Sequence, residues 1–313
     1  MIRLAGLLLA LSLTASACQG SSDSADSGAA LPTPTVTPTY GDLPVSIDYV
    51  ALGDSFTAGP FISTMRTDPQ GCARSKSNYP AFLAGWLGVA TYTDVSCSAA
   101  VTKDLYGPQR LLDGGHTGRQ LDAVSEETDL VTLGIGGNDF NIYSSLMACQ
   151  DEEVSYCPIE QLNADARKVQ DHIAKAVRSI TKVAPEAVVY VVGYPDIMPT
   201  EGTCRAVGVS AEVLEPVTEV AALLNASLRK GAEAAGATYI DMEAASEGHD
   251  VCAKGKAWVN GPRFRAGIAA PFHPKINGMR AVANELYREI TGADPEVTEY
   301  AEPDPEALVL NAG

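Results

Sequence analysis

Apolar positions along the chain follow two patterns: short continuous runs, and longer stretches spaced three and four residues apart. Ile47 to Leu52 is a short run ending in Gly53-Asp54-Ser55, which predicts a buried strand followed by a turn. Tyr79-Pro80 opens a helix that runs to Leu87 and is closed by Gly88. Two further strand patterns lie at Thr91 to Val95 and Asp129 to Ile135, the second leading into Gly136-Gly137-Asn138-Asp139. From Leu162, apolar residues recur at Ala166, Val169, Ile173, Ala176, Val177 and Ile180, the spacing of a helix, and Pro185 follows it. Ala187 to Val192 is rich in branched residues and predicts a strand buried on both faces. Helices over Ala211 to Ala235 and Pro274 to Ile290 flank a last short strand, Thr238 to Asp241.

Strands alternating with helices in this way predict an α/β fold, a parallel sheet covered by helices on both sides. No internal repeat or second linker divides it. Ligands of such sheets sit beyond the carboxyl ends of the strands, which is where several small, polar segments of this chain fall.

Composition sets the limits of this picture. The chain has 313 residues, 46% apolar and 19% charged, enough for one domain of about 250 residues. It is neither disordered nor fibrous in character. The formal net charge is −17, but much of the excess acid sits at the ends. Asp23, Asp26 and Asp42 fall in residues 19–44, and Asp294, Glu296, Glu299, Glu302, Asp304 and Glu306 in residues 293–313, with no base in either stretch. Residues 45–292 hold 30 acids and 21 bases, a balance of −9 that argues against a nucleic-acid partner.

Residues 1–17 read as an export signal: Arg3, an apolar run from Leu4 to Leu13, then Ala15-Ser16-Ala17-Cys18. The run is too short to span about 30 Å of hydrocarbon. Two cleavage readings are open, by an ordinary signal peptidase or at a lipobox that leaves Cys18 lipidated, and the second is favoured. The product would be exported, as a cell-surface lipoprotein or a secreted protein, touching a membrane only through the N-terminal lipid. Seven cysteines leave an even set of six once Cys18 is set aside: Cys72, Cys97, Cys149, Cys157, Cys204 and Cys252. In an oxidising compartment these predict three disulfides, with 15 pairings open. Metal-ligand spacings are missing, so no metal is expected. The expected organisation is signal peptide 1–17, lipid-anchor Cys18 with a Ser/Thr/Pro-rich tether to 44, a globular domain 45–292 and an acidic tail 293–313. In that tail Ala307-Leu-Val-Leu310 is apolar enough to dock.

Three segments carry chemistry. Ser55 at a strand end beside Gly53 can project into a crevice, although Gly-Asp-Ser is also ordinary turn material. Thr57 rules out the Gly-x-Ser-x-Gly elbow. Asn138, on a Gly-rich turn, can offer its amide to a developing oxyanion or simply satisfy its own turn. Asp139 stands where a dinucleotide fingerprint needs glycine. His273, in Pro271-Phe272-His273-Pro274, is the best-placed of four histidines. His172 falls on a helix beside Asp171, where a solvated face is expected, and His116 and His249 lie in loops. Tyr79, Phe82, Trp86, Phe61 and Phe140 are candidates for an acyl pocket, against which stands their helical spacing, the ordinary mark of core.

Taken together, Tyr49-Val-Ala-Leu-Gly-Asp-Ser55, Cys97-Ser-Ala-Ala100, Gly134-Ile-Gly-Gly-Asn-Asp139 and Phe272-His-Pro274 resemble, in order and spacing, the four blocks of the SGNH (GDSL) hydrolases. The resemblance spans about residues 46–290 and is closest to the secreted bacterial lipase and esterase branch with three disulfides. It implies a three-layer α/β/α sandwich of flavodoxin-like type. It implies Ser55 as nucleophile, His273 as general base, and an oxyanion hole formed by the Asn138 amide and the N–H groups of Ser55 and Ala99. It also implies the pairings Cys72–Cys97, Cys149–Cys157 and Cys204–Cys252. Two positions depart from the family pattern. Ala99 replaces a usual glycine, and Ala270 stands where most members have an acid three residues before the histidine. A Ser–His dyad is therefore expected, its imidazole held by the carbonyl of Ala270 or Pro271. The expected protein is a monomeric serine esterase or lipase working on a small ester or lipid through acyl-Ser55, without a cofactor. The alternatives are a carbohydrate O-acetylesterase, an acyltransferase, or a non-catalytic lipoprotein that binds a ligand.

Overall fold

The three central strands bury both their faces, and the two faces look onto different helical layers. β1 (Asp48–Gly53) turns Val50 and Leu52 to one side and Tyr49 and Ala51 to the other, and all four are buried. The computed structural model describes residues 41, 43–111, 113–149, 157–207 and 209–296. The leader, Cys18, nearly all of the tether, and residues 297–313 with Ala307 to Leu310 lie outside the described residues.

Five parallel strands run in the order β2-β1-β3-β4-β5: β2 (Thr91–Asp94), β3 (Leu130–Gly134), β4 (Val188–Val192) and β5 (Thr238–Ile240) join β1. In register, Gly53 of β1 stands beside Gly134 of β3, so the chain leaves both central strands at the same level. The strand order reverses at β1, and a parallel sheet opens a crevice at such a point.

One core lies between the sheet and two long helices, α4 (Ile159–Val183) and α5 (Ala211–Glu233), and takes Leu162, Val169, Ile173, Val177, Val220 and Leu224. The other lies under α2 (Tyr79–Leu87) and α7 (Ile276–Thr291), and takes Leu83, Leu87, Met279, Val282 and Leu286. The result is a three-layer α/β/α sandwich. Gly88 closes α2 in the left-handed conformation, and the Asn78 side chain caps its start by accepting from Ala81 N–H at 3.2 Å.

Three short helices have no sequence signal of their own: α1 (Ser55–Ala58), α3 (Ile142–Ala148) and α6 (Met242–Ala245). The last helix starts later than its Pro274 suggests. Backbone bonds from Asn260 N–H to the His273 carbonyl (2.8 Å) and from Lys275 N–H to the Trp258 carbonyl (2.7 Å) hold residues 273–275 extended. Lys275 is therefore the N-cap and Ile276 the first helical residue. His273 sits on a loop, not at a helix start.

Disulfides join Cys72 to Cys97, Cys149 to Cys157 and Cys204 to Cys252. The first ties the loop after β2 to the 70s segment, and Ser98 N–H donates to the Cys72 carbonyl at 3.0 Å. Among the described residues no helix is long and apolar enough to cross a membrane.

Candidate active site

β1 turns straight into α1 because Gly53 has no side chain: a Cβ there would stand 2.7 Å from the Gly134 carbonyl and closer still to Thr57. The buried Gln120 side chain completes this corner. Its Oε1 accepts from Gly53 N–H at 2.8 Å and its Nε2 donates to the Gly53 carbonyl at 2.9 Å. Asp54 caps α1 by accepting from Phe56 N–H at 2.9 Å, and Ser55 is the first helical residue, only 8% exposed.

His273 reaches this serine from the far end of the chain. Its Nε2 lies 2.8 Å from Ser55 Oγ and its Nδ1 lies 2.7 Å from the Pro271 carbonyl. A carbonyl only accepts, so Nδ1 carries the proton and Nε2 is left as acceptor for the serine hydroxyl. The Pro271 carbonyl is aimed by the local turn. Phe272 has φ +57 and His273 N–H donates to the Ala270 carbonyl at 3.3 Å, with Pro271 in second place. Proline followed by a positive-φ residue is the signature of a type II turn, whose central peptide is turned over relative to type I. The Ala270 carbonyl, the other candidate, accepts instead from His273 N–H and from Asn260 Nδ2 at 3.2 Å. Asn260, buried, also donates to the Ala269 carbonyl at 2.9 Å and so pins the loop. The imidazole lies beside the Phe56 ring at 5.0 Å. Burial pushes the His273 pKa below the ordinary histidine value, against a smaller upward pull from the Pro271 carbonyl.

The oxyanion candidates gather on the neighbouring loops. Asn138 follows β3 and its Nδ2 donates to the Ala100 carbonyl at 3.0 Å, which leaves the amide's second proton for a ligand. Ala99 has φ +64, the left-handed conformation in which glycine is at home. Among the described residues, the backbone N–H groups of Ser55 and Ala99 donate to no other group.

Side chains that the pattern along the chain did not single out bind these loops together. Asp54 Oδ2 accepts from Tyr194 O–H at 2.5 Å, and that hydroxyl oxygen accepts from Gly137 N–H at 2.7 Å. The ends of β1, β3 and β4 thus share one buried chain of hydrogen bonds. Burial pushes the Asp54 pKa up to about 7, against the Tyr194 and Phe56 hydrogen bonds that pull it down. Asp139 accepts from Thr102 N–H (2.8 Å) and from Thr102 Oγ1 (2.5 Å), joining the loop after β3 to the one after β2. His172 is no free solvated residue, since its Nδ1 lies 2.6 Å from Asp139 Oδ2 and 3.0 Å from Thr102 Oγ1. His116 and His249 stay in loops apart from the dyad. His249 stacks on Trp258 with ring centroids 4.2 Å apart.

The acyl-pocket candidates are corrected. Tyr79 and Phe82 are core and Trp86 packs against that core, while Phe61 and Phe140 are exposed. A mostly apolar cavity of about 180 Å³ lies elsewhere, lined by Tyr143, Leu146, Met147, Ile197, Met198 and Val217 among others. The Tyr143 ring on its wall stacks on Phe56 at 5.6 Å, and Phe56 in turn lies beside the imidazole.

A serine hydroxyl bonded to a properly tautomerised imidazole, at the carboxyl ends of a parallel sheet, is the arrangement of a serine hydrolase. Comparison with known proteins agrees. The model of the GDSL-like Lipase/Acylhydrolase family matches residues 51–281. Lipase 2 of Streptomyces coelicolor is 34% identical over 266 residues, covering 80% of this chain and 87% of that one. Crystal structures of phospholipase A1 from Streptomyces albidoflavus and of the extracellular lipase from Streptomyces rimosus each superpose with a TM-score of 0.67 at 28% identity. They cover 78% and 79% of this chain, and 99% and 100% of their own. The chain belongs to the GDSL-like lipase/acylhydrolase family. It is a carboxylic ester hydrolase whose substrate is an ester or lipid.

Two expectations follow from this geometry. Ala99→Gly removes a left-handed alanine, gaining about 1–2 kcal/mol, and returns part of it through a freer unfolded chain. The net stabilisation is about 0.5–1 kcal/mol, read from the urea midpoint, with ester turnover kept because the N–H remains. His273 must be neutral to accept a proton, and its lowered pKa keeps it neutral below the ordinary value of about 6.5. The acid limb of kcat/KM for a soluble ester therefore has its midpoint below that value.

Proposed function

We propose that Ser55 is the nucleophile, His273 the general base, and Asn138 with the N–H groups of Ser55 and Ala99 the oxyanion hole. The observation that carries this reading is the 2.8 Å contact between Ser55 Oγ and His273 Nε2, made across 218 residues of sequence. His273 Nε2 takes the hydroxyl proton as Ser55 Oγ attacks the ester carbonyl carbon. The tetrahedral oxyanion is held by the three donors. On collapse the C–O bond to the alcohol breaks, and the imidazolium returns its proton to the leaving alkoxide. Water, deprotonated by the same nitrogen, then attacks the acyl carbon; the bond to Ser55 Oγ breaks, the imidazolium returns its proton to Oγ, and the carboxylic acid leaves.

Neither departure from the family pattern points to a merely ligand-binding protein. Ala99 keeps both the left-handed turn and the N–H, and the Pro271 carbonyl does the orienting that a carboxylate does elsewhere. Pro271 supplies no charge to stabilise the imidazolium, so the oxyanion donors carry a larger share of the rate.

Export, with Cys18 as a lipidated first residue, completes the reading. It is supported by the leader sequence and by six cysteines joined in disulfides, bonds that persist in oxidising compartments. The extracellular character of the Streptomyces rimosus lipase agrees with it.

Steady-state kinetics with a short aryl ester tests the assignment. Ser55→Ala lowers kcat by about 10⁴-fold or more with an unchanged unfolding midpoint. Asn138→Ala lowers kcat by about 10²–10³-fold with little change in KM, since its contact strengthens only in the transition state. Turnover that survives Ser55→Ala overturns the assignment.

A further inference from the structure

Five of the chain's 22 lysines and arginines line a single cavity of about 600 Å³: Arg205, Lys254, Arg263, Arg265 and Lys275. No carboxylate lines it, and none of the five forms an ion pair among the described residues. In a domain with nine more acids than bases, four exposed cations and the half-buried Lys275, gathered without counter-charge, make a local patch of positive potential that attracts an anion. Burial and the neighbouring Arg265 both lower the Lys275 pKa.

The cavity is built and adjoins the dyad. The Cys204–Cys252 disulfide ties together the loops that carry Arg205 and Lys254. Its wall residues Asn260 and Gly261 bond to the backbone of His273 (2.8 Å) and Phe272 (3.3 Å).

An exposed apolar ridge runs along the same loop. Phe264 stands between Arg263 and Arg265, is 54% exposed, and meets the Phe61 ring edge-on at 4.8 Å. Ile268 is also exposed. Ser63 N–H donates to the Gly267 carbonyl at 3.4 Å and Ala270 N–H to the Pro60 carbonyl at 2.9 Å, which holds the Phe61 and Phe264 loops together. Of six large apolar side chains exposed among the described residues, three lie on this ridge. A soluble phosphate would need the cations alone. Cations beside exposed aromatics match a surface that is charged at its headgroups and apolar beneath them.

We propose that this cavity and ridge form a docking site for an anionic phospholipid surface, in which the five cations take the headgroup phosphate while Phe61, Phe264 and Ile268 enter the acyl boundary. The site brings the mouth of the Ser55–His273 dyad against the lipid. It deepens the ester-hydrolase reading, and depends on that reading only for what happens after docking. The acids elsewhere on the domain oppose docking weakly, because salt screens charges beyond about 8 Å.

The test is sedimentation of the full chain, carrying Ser55→Ala to prevent turnover, with vesicles of phosphatidylcholine alone or mixed with phosphatidylglycerol. Any N-terminal lipid contributes equally to every protein compared. The mixed vesicles are expected to bind more tightly. Arg263→Gln with Arg265→Gln weakens that binding by about 30-fold, at roughly fivefold per lost cation. Phe264→Ser weakens binding to both vesicles, and Arg167→Gln, on α4 across the sheet, changes neither. With Ser55 intact, the double arginine variant still hydrolyses a soluble aryl ester, so a failed docking site and a failed active site give different results. Equal binding to the two vesicles, or unchanged binding by the double variant, overturns the proposal. So does displacement by inorganic phosphate combined with no effect of Phe264→Ser, which would make the cavity a soluble-anion site.

Discussion

The dyad depends on one backbone carbonyl. The Pro271 oxygen fixes the proton of His273 on Nδ1 and leaves Nε2 free to accept from Ser55. A carboxylate in that place would add charge, whereas a carbonyl adds only direction. Direction in turn depends on the turn at 270–273, on the positive φ of Phe272, and on Asn260, which holds the adjoining carbonyls. The strain of a left-handed phenylalanine is kept because the surrounding hydrogen bonds over-determine it.

The other half of the site is organised by buried polar bonds at the strand ends. Asp54 and Tyr194 clamp the loop after β1 to the loops after β3 and β4, and Asp139 clamps the β3 loop to the one after β2. Gln120 satisfies both backbone groups of Gly53 at the corner before Ser55. On the proposed assignment, these bonds hold the hydroxyl, the amide and the two N–H groups in place before substrate arrives, and donors already in place gain more in the transition state than donors that must first be ordered.

The sheet and its long helices are legible because the three central strands are nearly continuous apolar runs and each long helix repeats at its own period. β1 and β3 depart from those patterns by one residue at each end, and β4 by one residue at its start. The start of α7 was misplaced because Pro274 suits a first helical position, while the bonds that keep it extended come from Trp258 and Asn260. Gln120, Tyr194 and Asn260 carry no sequence signal as site supports: each is a lone polar residue, and the partners of Gln120 and Tyr194 lie 67 and 140 residues away. Asp54 stands in the Gly53-Asp54-Ser55 segment, but its bond to Tyr194 is equally distant in sequence. The left-handed Phe272 has neither glycine nor asparagine to announce it. The bond His172 makes from its partly solvated helix face was not legible for the same reason, since the carboxylate it meets arrives from the loop after β3. An acidic total also hides a cavity whose charged lining residues are all cations, because a net charge carries no information on where the charges gather.

The central claim is that one serine is made reactive by an imidazole which a carbonyl, not an acid, holds in place. Peptide mapping after exposure of the full chain to a fluorophosphonate measures this most directly. The account predicts one adduct per chain, on the peptide containing Ser55, and its near loss when His273 is changed to Gln. An adduct on a different serine, or labelling of Ser55 that is indifferent to His273, would contradict it.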